Sequence, residues 1–329
     1  MNLIRRRHLA LTLAAAALAA AGLPAHAADW PNDKAISYVV PFTVGGSTDV
    51  VGRLLAQKLG ERLHQSVVVE NKPGAAGAIG AAYVAKAPAD GYTLFGGTIS
   101  THAINASLYK NLRYDPVRDF EPITLVATLP NVLLVDPNLG VNSVAELIAL
   151  LKREPAKRTF ASSGPGTSTH LAGELFADTI GVPLTHVPYK GTPPAMVDVS
   201  SGAVTFMFDQ MTAALPLLQN GKLKLLAVTT PRRIALAPDT PTMEEAGVAG
   251  FQMASWQAVY APKGTPKPIV DRLSKEIAAI LKEPDVQEKL GKTMGMELVG
   301  STPEQLRDLM ASEIPRWAEV VKKSGASVD

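Results

Sequence analysis

Two segments of this chain concentrate glycines and hydroxyls where an apolar run gives way to a helix-patterned one. The first is Pro41-Phe42-Thr43-Val44-Gly45-Gly46-Ser47-Thr48-Asp49, the second Ser162-Ser163-Gly164-Pro165-Gly166-Thr167-Ser168-Thr169-His170, and neither contains lysine or arginine. The first turn of a helix carries N–H groups without carbonyl partners and the positive end of the helix dipole, so such junctions attract anions. Glycine lets the backbone approach a ligand closely, and serine or threonine adds hydroxyl donors. Two such turns, roughly a domain apart, predict a carboxylate held between two lobes.

In the first junction Phe42, Thr43, Gly45 and Gly46 are candidate contacts. Asp49 belongs to the same set with a different task. A carboxylate would repel a bound anion, so Asp49 is expected to accept amide hydrogen bonds and fix the loop. In the second junction the candidates are Ser162, Ser163, Gly166, Thr167, Ser168 and His170. Thr98 and Ser100 follow a third apolar run at the matching end. Asp209 closes a later one and is placed to select a ligand hydroxyl or amine. Lys190 reads as a surface lysine, and Trp256 and Trp317 as core residues.

Catalytic constellations are missing. Gly164-Pro165-Gly166 supplies half of a dinucleotide fingerprint, with Thr169 where the third glycine would fall, and Gly74, Gly77 and Gly80 have the wrong spacing. There is no P-loop, no GxSxG elbow and no HExxH helix. Of six histidines, His64, His102, His170 and His186 lie beyond the N-terminal segment, without metal-pair spacing. Zero cysteines exclude disulfides, thiolate catalysis and cysteine metal sites. Neither a cofactor nor a metal is expected.

These residues need a scaffold, and the chain alternates strand and helix patterns. Strands are expected at 36–41, 67–69, 92–96, 133–135, 158–162, 185–188, 204–208 and 224–228. Helices are expected after Gly46 and at 75–87, 144–152, 169–180, 194–201 and 211–220. After a proline-rich passage at 231–241 the tail reads as mainly helical: 268–281, 284–294 and 303–322, each starting at or near a proline. Two α/β units with a helical tail fit two parallel-sheet lobes, with ligands outside the carboxyl ends of the strands.

Arg5, Arg6 and Arg7 precede an apolar run from Leu9 to Leu23, followed by Ala25-His26-Ala27. That is a secretory signal peptide pattern, too short for a membrane span, so residues 1–27 are expected to be removed on export. Removal takes three arginines and no acids, so 32 basic residues become 29 against 30 acidic ones. The near-neutral remainder carries no basic stripe for nucleic acid, and no second long apolar stretch, which predicts a soluble mature chain.

Further runs complete a pattern: Glu70-Asn71-Lys72-Pro73-Gly74-Ala75-Ala76-Gly77, Ala89-Asp90-Gly91-Tyr92-Thr93-Leu94, Tyr114-Asp115-Pro116-x-x-Asp119-Phe120-x-Pro122-Ile123, His186-Val187-Pro188-Tyr189-Lys190-Gly191 and Glu245-Ala246-Gly247. With the two junctions, and in this order over essentially the whole mature chain, they resemble the Bug (TctC-type) solute-binding receptors. The resemblance implies an α/β, two-domain periplasmic-binding-protein fold of type II-like form, each lobe a mostly parallel sheet flanked by helices, with the ligand cleft between lobes. It implies domain 1 at 28–130 plus 250–329 and domain 2 at 131–249. It also implies a periplasmic, monomeric receptor for a small carboxylate or its amide, delivering to the membrane subunits of a tripartite tricarboxylate transporter. Where the family commonly has proline, this chain has Val44. An exported α/β enzyme acting on a small acid, or a sensor subunit, are the alternatives.

Overall fold

A computed structural model describes residues 30–324 together with Ala326 and Val328; the expected signal peptide lies outside the described residues. The chain opens with β1 (Ile36–Val40), α1 (Ser47–Leu63), β2 (Val67–Asn71), α2 (Ala78–Val84) and β3 (Thr93–Thr98). It continues through β4 (Phe120–Val135), α3 (Val144–Arg153), β5 (Thr159–Ser162), α4 (Ser168–Ile180), β6 (Thr185–Pro188) and α5 (Thr192–Ser200). β7 (Phe206–Gln210), α6 (Met211–Gln219), β8 (Lys224–Val228), β9 (Ala254–Pro262), α7 (Lys267–Ile280), β10 (Glu297–Leu298) and α8 (Pro303–Ser324) complete it.

The strands lie in the order β2-β1-β3-β9-β4-β7-β5-β6. In one lobe β2, β1 and β3 are parallel, and in the other β6, β5 and β7 are parallel. The middle is antiparallel: β9 runs against β3 and β4, and β4 runs against β7 and β8. The parallel core expected of each lobe is therefore present, joined by a mixed centre. The reason lies in β4, which serves both lobes. Its Phe120–Pro130 portion pairs with β9, and its Asn131–Val135 portion with β7. The return path runs beside it, where Thr229 N–H donates to Asn131 O at 2.9 Å and Met253 N–H to Thr229 O at 3.0 Å. Strands crossing between lobes in opposite directions must pair antiparallel.

Burial follows from this layering. Ile36, Tyr38, Val39 and Val40 are all buried, as a strand covered on both faces requires. On α1, Val51, Leu54, Leu55, Leu59 and Leu63 form the buried stripe. Ile269, Leu273, Ile277 and Ile280 of α7 join the same core. A second core lies under α5 and α6. The third runs across both lobes, from Phe95 and Phe120 to Phe160, Phe206 and Trp317. Trp256 and Trp317 are both buried there, and both indole N–H groups donate to Glu313 Oε2.

The structure departs from the sequence pattern in several places. β4 is far longer than the 133–135 expected, and β9 interrupts what reads as a helical tail. The 75–87 helix starts only at Ala78, because Gly74, Ala75, Ala76 and Gly77 all have positive φ. The 284–294 helix is a short α turn, Pro284–Val286, followed by a π-helical turn, Gln287–Thr293.

Candidate binding cleft

The loops leaving the parallel strands meet in a cleft between the lobes. The first lobe contributes Phe42, Thr43 and Gly46–Thr48 after β1, and Thr98–Ser100 after β3. The second contributes Ser163, Thr167 and Ser168 after β5, Gly191 and Thr192 after β6, and Gln210 at the end of β7. Ser255, Trp256 and Gln257 of β9 complete the lining of an inner cavity of about 40 Å³. Phe42, Thr43, Ser163 and Gly191 are shared with an outer chamber of about 460 Å³, edged by Gly74–Gly77, Tyr189 and Lys190.

Four helices begin at this cleft, α1, α4, α5 and α6, with Gly46, Thr167, Gly191 and Gln210 as their capping positions. Their dipoles therefore point at one place, with first-turn N–H groups supplied by α1, α4 and α6, while α5 adds that of Thr192 alone because Pro193 and Pro194 have none. No charged side chain lines the inner cavity among the described residues. The lobes also touch directly. Ser168 N–H donates to Ser100 Oγ at 3.1 Å, and Ser47 Oγ donates to Gln210 Oε1 at 3.1 Å.

Of the residues picked out from sequence, Phe42, Thr43, Gly46, Thr98, Ser100, Ser163, Thr167 and Ser168 line the cavity. The other six do not line it, each for a visible reason. Gly45 spends its N–H on Asp49 Oδ2 at 3.0 Å. Asp49 also accepts from Asn71 Nδ2 at 2.9 Å and Arg53 Nε at 2.9 Å, which is the loop-fixing task expected of it. Burial pushes its carboxyl up, but Arg53, the Gly45 amide and Asn71 outweigh this and hold it below the usual carboxylate range.

Ser162 is buried, with Oγ 2.6 Å from His186 Nε2 and 3.1 Å from Gly164 O. Gly166 donates its N–H to His170 Nδ1 at 3.1 Å and packs against Leu108 of the other lobe. His170 turns its Nε2 towards Glu174 at 3.3 Å and stacks on His186 with centroids 3.9 Å apart. Burial, then the neighbouring His170, pushes His186 down to about 3, so at neutral pH it is uncharged. Asp209 is buried, accepting from Thr192 Oγ1 at 2.8 Å and Gln210 N–H at 2.7 Å. Burial raises its carboxyl to about 6, against the pull of those two donors. It holds two lining residues in place and does not itself face the cavity.

A model of the tripartite tricarboxylate transporter family receptors, TctC, matches residues 51–326. The chain belongs to this family. Protein BugT of Bordetella pertussis is 39% identical, over 94% of this chain and 96% of its own. Among solved structures, Rpa4515 of R. palustris with adipate is 42% identical, with a TM-score of 0.87 over 91% of this chain and 99% of that one. MatC from Rhodopseudomonas palustris with bound malate is 34% identical, with a TM-score of 0.84 over 88% of this chain and 99% of that one. The α/β periplasmic-binding-protein fold is thus the fold of this TctC receptor.

The sequence reading missed part of the lining of the TctC cleft. Ser255 and Gln257 sit on β9, whose Trp256, Val259 and Tyr260 favour a strand but lie in what reads as a mainly helical tail. Gln210 directly follows the singled-out Asp209. Thr192 directly follows the Tyr189-Lys190-Gly191 turn. The available signal for both was their position at the end of a strand and the start of a helix.

Proposed function

We propose that this TctC receptor captures a small carboxylate, or its amide, between its lobes and hands it to the membrane subunits of a tripartite tricarboxylate transporter. The observation that carries the ligand class is the convergence of four helix N-termini, with their hydroxyls, on a cavity whose described lining holds no charged side chain. Relatives with adipate and malate bound support short dicarboxylates as the first class to try. Charge-assisted hydrogen bonds contribute about 1.5–3 kcal/mol each. Four or five of them, less the cost of ordering and closure, leave roughly the 8 kcal/mol of a micromolar receptor.

In this reading the protein is a monomer that performs no chemistry. Receptors of this family are periplasmic, and export with cleavage near Ala27 is part of the proposal. Domain 1 comprises 28–130 with 250–329, and domain 2 comprises 131–249. That division is supported by the change of β4's partner at Asn131 and by the return crossing beside Thr229 and Met253. The contact between Ser162 and His186 is the nearest thing to a nucleophile beside a base, but Ser162 is buried behind the cavity and held by Gly164.

The test is a thermal-shift and calorimetry panel of mono-, di- and tricarboxylates and their amides on the mature protein. A ligand at about a hundred times its Kd should stabilise by about 2.7 kcal/mol and be recovered unchanged. A panel without a stabilising carboxylate overturns the ligand class; conversion of a bound compound overturns the non-catalytic role.

A further inference from the structure

Five neutral side chains form one hydrogen-bonded chain from the floor of the cleft to the hinge. Gln257 Nε2 donates to Ser47 Oγ at 3.1 Å, and Ser47 Oγ donates to Gln210 Oε1 at 3.1 Å. Gln210 Nε2 donates to Ser255 Oγ at 3.2 Å, and Ser255 Oγ donates to Asn131 Oδ1 at 3.0 Å. The chain alternates amide and hydroxyl and crosses between lobes three times, since Ser47, Ser255 and Gln257 belong to the first and Gln210 and Asn131 to the second. Asn131 sits where β4 changes partners, directly opposite Gln210 in the ladder.

Both ends are unsatisfied. Gln257 Oε1 and Asn131 Nδ2 are buried without a hydrogen-bond partner. Beside Gln257, Thr98 faces it across the β3–β9 ladder, and its Oγ1 is likewise unpartnered. Thr98 and Gln257 line the cavity, so an acceptor and a hydroxyl are offered to whatever occupies it.

Such a chain has a second arrangement. A half-turn of an amide about its terminal bond exchanges its oxygen and nitrogen, and a hydroxyl can donate in either direction. If all three amides turn and both hydroxyls reverse, Asn131 Nδ2 donates to Ser255, Ser255 to Gln210, Gln210 to Ser47 and Ser47 to Gln257. The number of internal bonds is unchanged. Only the ends differ: Gln257 now offers N–H to the cavity, and Asn131 offers a carbonyl at the hinge. Turning one member alone would set two donors or two acceptors against each other, so the members must turn together.

We propose that the chain Gln257–Ser47–Gln210–Ser255–Asn131 is a reversible polarity relay, whose direction is set by the ligand group seated against Thr98 and Gln257. A carboxylate, which only accepts, selects the direction that offers it N–H. A carboxamide or hydroxyl that donates selects the other. The same floor thereby serves an acid or its amide, and the choice is written into the hydrogen bonding of Asn131 at the hinge. The ligand-dependent part rests on the carboxylate-binding reading given above.

The readout is the side-chain amide NMR signal of Asn131 in asparagine- and glutamine-labelled protein, assigned by its loss in Asn131→Asp. Without any ligand, Ser47→Ala cuts the chain beyond direct reach of Asn131, and Gln257→Met, which removes the far end of the chain, is the second cut if the first variant is unstable. Either cut should displace the Asn131 signal; an Asn131 signal unmoved by a folded cut variant overturns the relay. Malate, adipate and their diamides are then the probes. Acid and amide should move the Asn131 signal in opposite directions in the native protein, and no longer do so in Ser47→Ala. Equal movement by both, or movement that survives the cut, also overturns it. If the cuts move Asn131 but no probe binds, the relay stands and the ligand class falls.

Discussion

Adding one methyl group at Gly191 separates closure of the lobes from stability of the fold. Gly191 lies in the turn between β6 and α5 with φ +110°, and a Cβ there would stand 2.2 Å from Thr43 Oγ1, 3.2 Å from its Cγ2 and 3.3 Å from its Cβ. Thr43 belongs to the β1–α1 loop of the other lobe, so this crowding exists only when the cleft is shut. Gly191→Ala therefore has two costs of different kinds. The backbone strain of a non-glycine residue at φ +110° and ψ 171°, about 1–3 kcal/mol, is present whether the lobes are open or closed and lowers thermal stability. The clash behaves as overpacking, about 1–3 kcal/mol, and is charged to the closed state alone. Ligand affinity reads only the second, so Kd should rise roughly fivefold to a hundredfold. Thr43→Ala removes the two nearest atoms and should recover most of that loss in the double variant, while the lower melting temperature persists. Titration calorimetry with a dicarboxylate bound by the native protein measures the affinity, and solution X-ray scattering measures closure. A native Kd in Gly191→Ala refutes the argument. So does a double variant with no more affinity than the product of the single effects.

Asp209 should leave a mark on the pH dependence of stability. Its carboxyl is raised to about 6 in the fold from an ordinary 3.8, so between those values the folded state binds more protons and stability falls as pH rises. The loss is about 3 kcal/mol for a shift of this size, and Asp209→Asn should remove that slope in denaturant unfolding followed from pH 4 to 7. Matching slopes in both proteins would contradict the burial argument. Asp49→Ala releases the Gly45 amide, Asn71 and Arg53 together. It should cost about 1–3 kcal/mol in unfolding experiments and weaken ligand binding through a loosened first loop. Unchanged stability would mean that the loop is held by something else.

How much of this was readable in advance depends on how local the cause is. The β1–α1 and β5–α4 junctions were legible because cap chemistry, glycine and a flanking apolar run all lie within about a dozen residues. β4 was not. Pro122 and Pro130 break its pattern: Pro122 sits where the ladder to β9 shifts register, between Pro122 and Thr124, and Pro130 is the last residue paired with β9 before β4 changes partner at Asn131. β9 is a strand because β3 and β4 flank it, a cause that lies more than a hundred residues upstream. Its Ser255 and Gln257 went unread with it. The alanine-rich stretch after Pro73 has high helix propensity, yet the chain there must bend around the cleft mouth. For Ser162, Gly166, His170 and Asp209 the sequence located the right loops and strand end, but not which atoms already had partners.

That no charged side chain among the described residues lines the inner cavity also bears on the speed and setting of capture. A cleft lined with arginine projects a field that draws anions from a distance and fades as salt rises. Helix termini and neutral amides act only within about the last turn's length, where water and ions are largely excluded. Lys190 at the edge of the outer chamber is the charged side chain of the described lining that can assist encounter, and recognition in the inner cavity begins on contact. The affinity should therefore change little with ionic strength, which suits the periplasmic setting proposed for it, where the outside medium sets the salt.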